Sequence, residues 1–284
     1  MLSGTAKPLK NKLKNGIKSA RARYAQIFRS YGPEQLLQFL RDLGIRNGDA
    51  LIVHSSYDAF MGFSGKPTDV IAVLEELVSH KGMLMMPTMP FTGTAVEYAT
   101  RHPKLDLART PSRMGLLSEL FRRSRGVVRS AHPTHPIAAW GEGAEAVAAG
   151  HHRAATPCGR GSPFEHLLRR KGKVLFLGTD ITSLTFYHWI EEALESKLPE
   201  SPFTAETFEL LTRLEDGTEL ATRTRLFAPA VSRRRNLNKL VPELKRINGW
   251  REARIGNLNA TLIDAEQTLA AATDLAARAI YCYD

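Results

Sequence analysis

Residues 172–192 read GKVLFLGTDITSLTFYHWIEE. The apolar run 174–177 is short and unbroken, as in a strand buried on both faces. Gly178 ends it. Thr179, Asp180, Thr182 and Ser183 then offer N-caps to a helix expected to begin near Leu184. Thr185, His188 and Glu191 are spaced i, i+3, i+6 and fall close to one helix face. A titratable imidazole thus sits one turn from a carboxylate, just past the end of a buried strand, where clefts open in α/β proteins. A solvated helix face with an incidental histidine fits the same stretch, and the stretch alone leaves both readings open.

On either side, apolar strands alternate with helices. Upstream, 33–43 has the stripe of an amphipathic helix, with Pro33 at its first position. Residues 50–53 form a buried strand that delivers His54, Ser55 and Ser56 into a loop. A helix capped by Thr68 and a strand over 83–86 follow. Residues 89–107 read as one long irregular connection. Ser112 is placed to cap a helix running through Phe121. Strands are expected near 126–129 and 137–140, with a short helix over 142–149. Ser162 and Pro163 supply the N-cap and first turn of a helix through Arg170. Beyond the central stretch, 207–214 and 219–227 flank the turn Glu215-Asp216-Gly217 as a hairpin. Residues 255–263 read as extended and 264–279 as an Ala-rich helix. This order implies an α/β fold with a mixed sheet between helical layers. We read 1–30 as a basic arm, helical from Lys10 to Arg29, and 31–284 as a single domain.

The totals exclude several classes. No run among the 284 residues is long and apolar enough for a membrane span, and the basic N-terminus lacks an apolar signal core. Two cysteines, Cys158 and Cys282, make no disulfide framework. Both facts suit a reducing cytoplasm. The net charge of +10 suits an anionic partner: nucleic acid, a membrane surface or a phosphorylated co-substrate. Part of that charge gathers in 232–254, which contains Arg233, Arg234 and Arg235.

Polar turns recur at the ends of the apolar strands: His54-Ser55-Ser56, Arg109-Thr110-Pro111-Ser112, Arg129-Ser130-Ala131-His132-Pro133, Gly161-Ser162-Pro163, and the stretch from Thr185 to Glu191. With Met86-Pro87-Thr88 they resemble, in order, the motifs of the aminoglycoside 3-N-acetyltransferase family. The resemblance covers roughly residues 33–195 and continues more loosely from Ile255. It implies an antibiotic N-acetyltransferase fold, distinct from the GCN5-like one, and acetyl transfer from acetyl-CoA to an amine of an aminoglycoside or related amino sugar. A groove for acetyl-CoA would be lined by His54, Ser55, Ser56, Thr110, Ser112, Arg129, Ser130 and His132. The family's catalytic candidate, the histidine of Thr-x-x-His-x-x-Glu, is His188 here. Two departures stand out. Pro136 replaces the serine usual after His-Pro-x-x, and Asp106-Leu107 replaces the family's Asp-Pro.

The chemistry asks for such parts independently. An amine is mostly protonated at neutral pH and must lose a proton to attack a thioester, which a base titrating near the working pH can remove. A carboxylate can orient that base; Glu191 is nearest in sequence, with Asp106 and Glu192 as rivals. Free N–H groups and hydroxyls can meet the oxygen that becomes negative. Polycationic acceptors call for carboxylates, yet the loop from Met89 holds no cluster of acids, and the CoA phosphates account for a basic surface more readily. A biosynthetic amino sugar or other amine is therefore the alternative acceptor, with no role in resistance. Other chemistries fit less well. Cys158 beside a histidine would form an acetyl-enzyme, but a small buried thiol is the commoner case. His151, His152 and His188 lack the spacing of a metal motif, so no metal is expected. Nucleic-acid binding would rest on the Arg-rich stretch alone, with no recognised motif beside it.

Overall fold

The structure, a computed structural model, describes residues 29–284; the basic arm and its expected helix lie almost wholly outside the described residues. Among the described residues, ten strands form two sheets. In the larger sheet the order is β4 (Val128–Arg129), β5 (Ile137–Gly141), β2 (Met83–Pro87), β1 (Ala50–Ser55), β6 (Lys173–Leu177), β10 (Leu258–Asp264), β9 (Trp250–Ile255). Its centre is parallel: β1 pairs with β2 on one side and β6 on the other. Antiparallel strands complete both flanks. The smaller sheet is β3 (Lys104–Asp106), β7 (Phe203–Arg213) and β8 (Glu219–Phe227).

The central strands explain the layers. In β6, Val174 and Phe176 face one core, while Leu175 and Leu177 face the other. In β1, Ala50 and Ile52 join the first core, and Leu51 and Val53 the second. Strands apolar on both faces need a helical layer on each. Leu36 and Leu40 of helix Pro33–Leu43, with Val70 and Leu74 of helix Pro67–Val78, cover one face. Phe164 and Leu167 of helix Pro163–Arg169, Ile190 of helix Tyr187–Ala193 and Ala272 of helix Ala265–Ala277 cover the other. Among the described residues no helix is long and apolar enough to cross a membrane.

Several expected boundaries move. His54 and Ser55 belong to β1 rather than to the loop after it. Helix Pro67–Val78 has Lys66, not Thr68, at its N-cap, because Pro67 takes the first helical position. Gly115 precedes helix Leu116–Phe121, while Ser112 stands upstream with its Oγ accepting from Met114 N at 3.1 Å. The connection after Met89 contains helix Ala95–Arg101, capped by Thr94, and strand β3. The expected extended stretch 255–263 is mostly β10, and the chain before it adds β9, its antiparallel partner, which the sequence reading did not give. Helix Tyr187–Ala193 starts three residues later than Leu184, after a 3-10 turn over Ile181–Ser183.

Candidate active site

All three parallel strands end at one edge. There β1 contributes His54 and Ser55, β2 leads through Pro87 to Met89, and β6 leads through Gly178 to Thr179. Gly178 makes the exit possible. Its φ is +69°, and an added Cβ would lie 2.2 Å from Ala59 Cβ and 3.1 Å from Ser56 O. The chain then turns through Ile181–Ser183 and enters helix Tyr187–Ala193, which carries His188 and Glu191.

These two side chains meet. His188 Nδ1 lies 2.9 Å from Glu191 Oε2. The Glu191 side chain is wholly buried and that of His188 is 16% exposed. Burial alone would push the Glu191 carboxyl up, but hydrogen bonds from His188 and Tyr283 and the Arg235 guanidinium outweigh it and hold the group below its ordinary value. Arg235 grips both carboxylate oxygens, Nε to Oε1 and Nη2 to Oε2, each at 3.0 Å. Tyr283 donates its hydroxyl to Oε1. With its lone pairs so engaged, Glu191 can hold the imidazole in one orientation. A carboxylate at Nδ1 places the proton there and leaves the Nε2 lone pair free. Nε2 has no hydrogen-bond partner among the described residues. The ring is clamped from the second sheet by Phe227 of β8, stacked at 4.2 Å between centroids. Burial and the nearby Arg235 lower the His188 pKa from the ordinary 6.5, and Glu191 offsets this only in part.

Two cavities flank the histidine. The first, ≈ 290 Å³, is lined by hydroxyls from Ser55, Ser118, Thr179, Thr182, Ser183 and Thr185, with His54 beside them. The second, ≈ 260 Å³, lies between Phe91, Thr92, Phe227 and Ser232, with His135 in its wall. His188, Arg235, Met89 and Met114 line both.

The structure sorts the other sequence candidates. His54 and Ser55 line the first cavity, and His54 Nε2 is 3.4 Å from Thr185 Oγ1. Ser56 donates its backbone N–H to Leu177 O and lies outside the lining. Thr110, Ser112, Arg129, Ser130 and His132 line neither cavity. Arg129 instead ties strand ends together, giving hydrogen bonds to Thr88 Oγ1, Thr88 O, Leu107 O and Thr110 O at 2.7–3.0 Å. Ser130 Oγ accepts from Ile137 N and pairs with His151 Nδ1. His132 is fully buried, its Nδ1 accepting from the backbone N–H groups of Thr134 and His135. Thr110 Oγ1 accepts from Asp106 N.

The rivals to Glu191 are occupied elsewhere. Glu192 accepts from Thr156 Oγ1, and Asp106 accepts from Arg109 N at 2.8 Å. His151 uses both ring nitrogens, on Ser130 Oγ and Pro157 O. Cys158 is fully buried, and burial raises its thiol pKa well above the ordinary value.

Arg235, Phe227 and Tyr283 were not singled out from the sequence. Arg235 hid in a basic run. The hydroxyls of Thr179, Thr182 and Ser183 read as helix caps, yet they line a cavity.

Fold and site together define an α/β protein with a buried histidine–glutamate pair at the mouth of its parallel strands, the histidine shared by two cavities. The chain belongs to the aminoglycoside 3-N-acetyltransferase family, whose model matches residues 52–277. It is 33% identical over 183 residues to aminoglycoside N(3)-acetyltransferase VII of Streptomyces paromomycinus, covering 59% of this chain and 63% of that one. Over 170 residues it is 33% identical to aminoglycoside N(3)-acetyltransferase III of Serratia marcescens, covering 56% and 63%. The matches thus span less than two thirds of these relatives' length. Among solved structures, AAC-IIIb in a binary complex with CoASH superposes with a TM-score of 0.74 at 22% identity, over 89% of this chain and 99% of that one. A histidine-to-alanine variant of aminoglycoside acetyltransferase AAC(3)-IVa, in complex with a gentamicin, gives a TM-score of 0.71 at 25% identity, over 88% and 89%.

Proposed function

We propose that this protein transfers an acetyl group from acetyl-CoA to an amino group of an aminoglycoside or related amino sugar, directly and with His188 as general base. The observation that carries the reading is the 2.9 Å His188–Glu191 contact, with the other ring nitrogen free in a side chain that lines two cavities. Family membership supports the reaction class, and the relative solved with CoASH supports the donor. The hydroxyl-lined cavity suits the donor's arm, whose amides need hydrogen-bond partners in a narrow slot. The cavity across His188 is left for the amine.

When bound, acetyl-CoA supplies the acyl group as a thioester, whose C–S bond breaks as the C–N bond forms. His188 is suited to the proton traffic. Its lowered pKa keeps it neutral at physiological pH, so Nε2 can take the proton the attacking nitrogen gives up and return one to the departing thiolate. Glu191, fixed by Arg235 and Tyr283, stabilises the imidazolium that forms between those events. Cys158 lines neither cavity and its thiol is held protonated by burial, which favours direct transfer over an acetyl-enzyme. The Arg-rich stretch gives little support to nucleic-acid binding: Arg235 pairs with Glu191, Arg234 with Glu200, Arg246 with Glu243 and Arg251 with Asp264. Both cysteines are free and buried, in keeping with a cytoplasmic protein.

The test is His188→Ala, followed by thiol release and thermal unfolding. Turnover should fall at least about 100-fold while KM for acetyl-CoA changes little, because the proton-transfer contribution alone is lost. A folded variant with near-normal turnover would refute the assignment.

A further inference from the structure

The second cavity, which shares His188 with the hydroxyl-lined one, has an unusual wall for a polyamine. Its lining holds no aspartate or glutamate. Glu97, on the adjoining helix, turns back to accept from Thr94 N and lines a neighbouring hollow that shares Phe91, Thr92 and Thr94 with this one. Glu191 stands behind Arg235 with both oxygens engaged and no exposure. Arg235 is the ordinarily charged group that the lining does contain, and its Nη1 has no hydrogen-bond partner among the described residues. His135 stands in the wall with its Nδ1 against Thr134 Oγ1 at 2.8 Å and, through burial and the neighbouring His188, a pKa well below 6.5. The wall also includes Phe91, partly exposed, Phe227, whose ring is buried against His188, and Thr92, Thr94 and Ser232, which offer hydroxyls.

Resting on the transferase reading above, we propose that the acceptor is a monoamine sugar with no second positive charge, carrying a hydroxyl or anionic group that meets Arg235 Nη1. The argument is electrostatic. One amino group can enter, shed its ammonium proton to solvent and pass a second proton to His188 as it attacks. Each further ammonium of a polycation would be desolvated beside a guanidinium with no carboxylate to receive it. A sugar ring, by contrast, has an apolar C–H face for Phe91 and hydroxyls for the threonines and the serine. An anionic substituent would complete the Arg235 fork on its open side.

The experiment measures thiol release by the full chain with acetyl-CoA and three acceptors at neutral pH: glucosamine, glucosamine 6-phosphate and kanamycin. We expect kcat/KM for at least one of the two monoamines to exceed that for kanamycin by at least about 100-fold. Thr92 is exposed on the cavity wall, so Thr92→Asp adds a carboxylate there in exchange for one hydroxyl. It should raise the ratio of kcat/KM for kanamycin to that for glucosamine about tenfold, and an unchanged ratio overturns the electrostatic argument. Kanamycin equal to or better than both monoamines overturns the assignment. Calorimetry with CoA separates the two levels of failure. CoA binding without release from either monoamine sinks the acceptor class alone, whereas no CoA binding sinks the transferase reading and the acceptor class with it.

Discussion

At His188 a single ring has three constraints: Glu191 at Nδ1, Phe227 on its face, and Arg235 beside it. The first was legible in the sequence, because residues three apart on a helix share a face. The others were not. Arg235 lies 44 residues from Glu191 along the chain and Tyr283 lies 92, so no local pattern joins them. In the proposed mechanism Arg235 acts on His188 through charge and through Glu191, which makes it a positioning residue with a measurable signature. A general base must be neutral to work, so kcat should rise with pH through the His188 pKa, which lies below 6.5. Arg235→Gln removes the positive neighbour that disfavours imidazolium and leaves Glu191 with one cation fewer. Both changes favour protonated His188. The acid limb of kcat should therefore move to higher pH, alongside a loss of turnover. A lower rate with an unmoved limb would show that Arg235 does not set the protonation of His188.

At the level of elements, the sequence was most informative where burial is complete. The runs 50–53, 83–86 and 174–177 alternate between two cores without a polar residue, and each became a parallel strand of the centre. Helix starts were less legible. Ser112 and Thr68 have the right chemistry for caps, but Gly115 at φ +107° and Pro67 determine where those helices begin. Strand β3 escaped notice because it is three residues long and is defined by β7, about a hundred residues on. The turn after β6 shows how tightly one element fixes the site. Gly178 has φ +69°, and a methyl group there would collide with Ala59 at 2.2 Å. Gly178→Ala should destabilise the protein by about 2–4 kcal/mol, from left-handed strain and overpacking together. Denaturant titration measures this. A change below about 1 kcal/mol would show that the turn relaxes freely, and that Thr179 and Ser183 are not held in place by it.

Over the whole molecule, charge and burial are distributed in a way that composition could not reveal. The excess of basic residues was plain from the sequence, but not that its Arg-rich stretch is largely consumed in ion pairs. Nor did the sequence show that four histidines besides His188 are buried near the site: His54, His132, His135 and His151. Burial depresses all four, His54 to about 3, His151 to about 4, and the other two well below 6.5. Unfolded, each takes up a proton near 6.5; folded, each stays neutral far below that. From pH 6.5 down to about 4 the unfolded chain therefore binds more protons, and stability should fall with pH by as much as about 1.4 kcal/mol per unit for each such histidine. Paired carboxylates such as Glu191 act in the same direction but lower, since their folded values lie below 4.5. The two sources separate by window. Unfolding free energy measured by denaturant titration should already decline steeply between pH 6.5 and 5, before carboxylates titrate. A flat profile there would mean that these imidazoles are as easily protonated in the folded protein as in the unfolded chain. The low-dielectric surroundings on which the proposed role of His188 depends would then be absent as well.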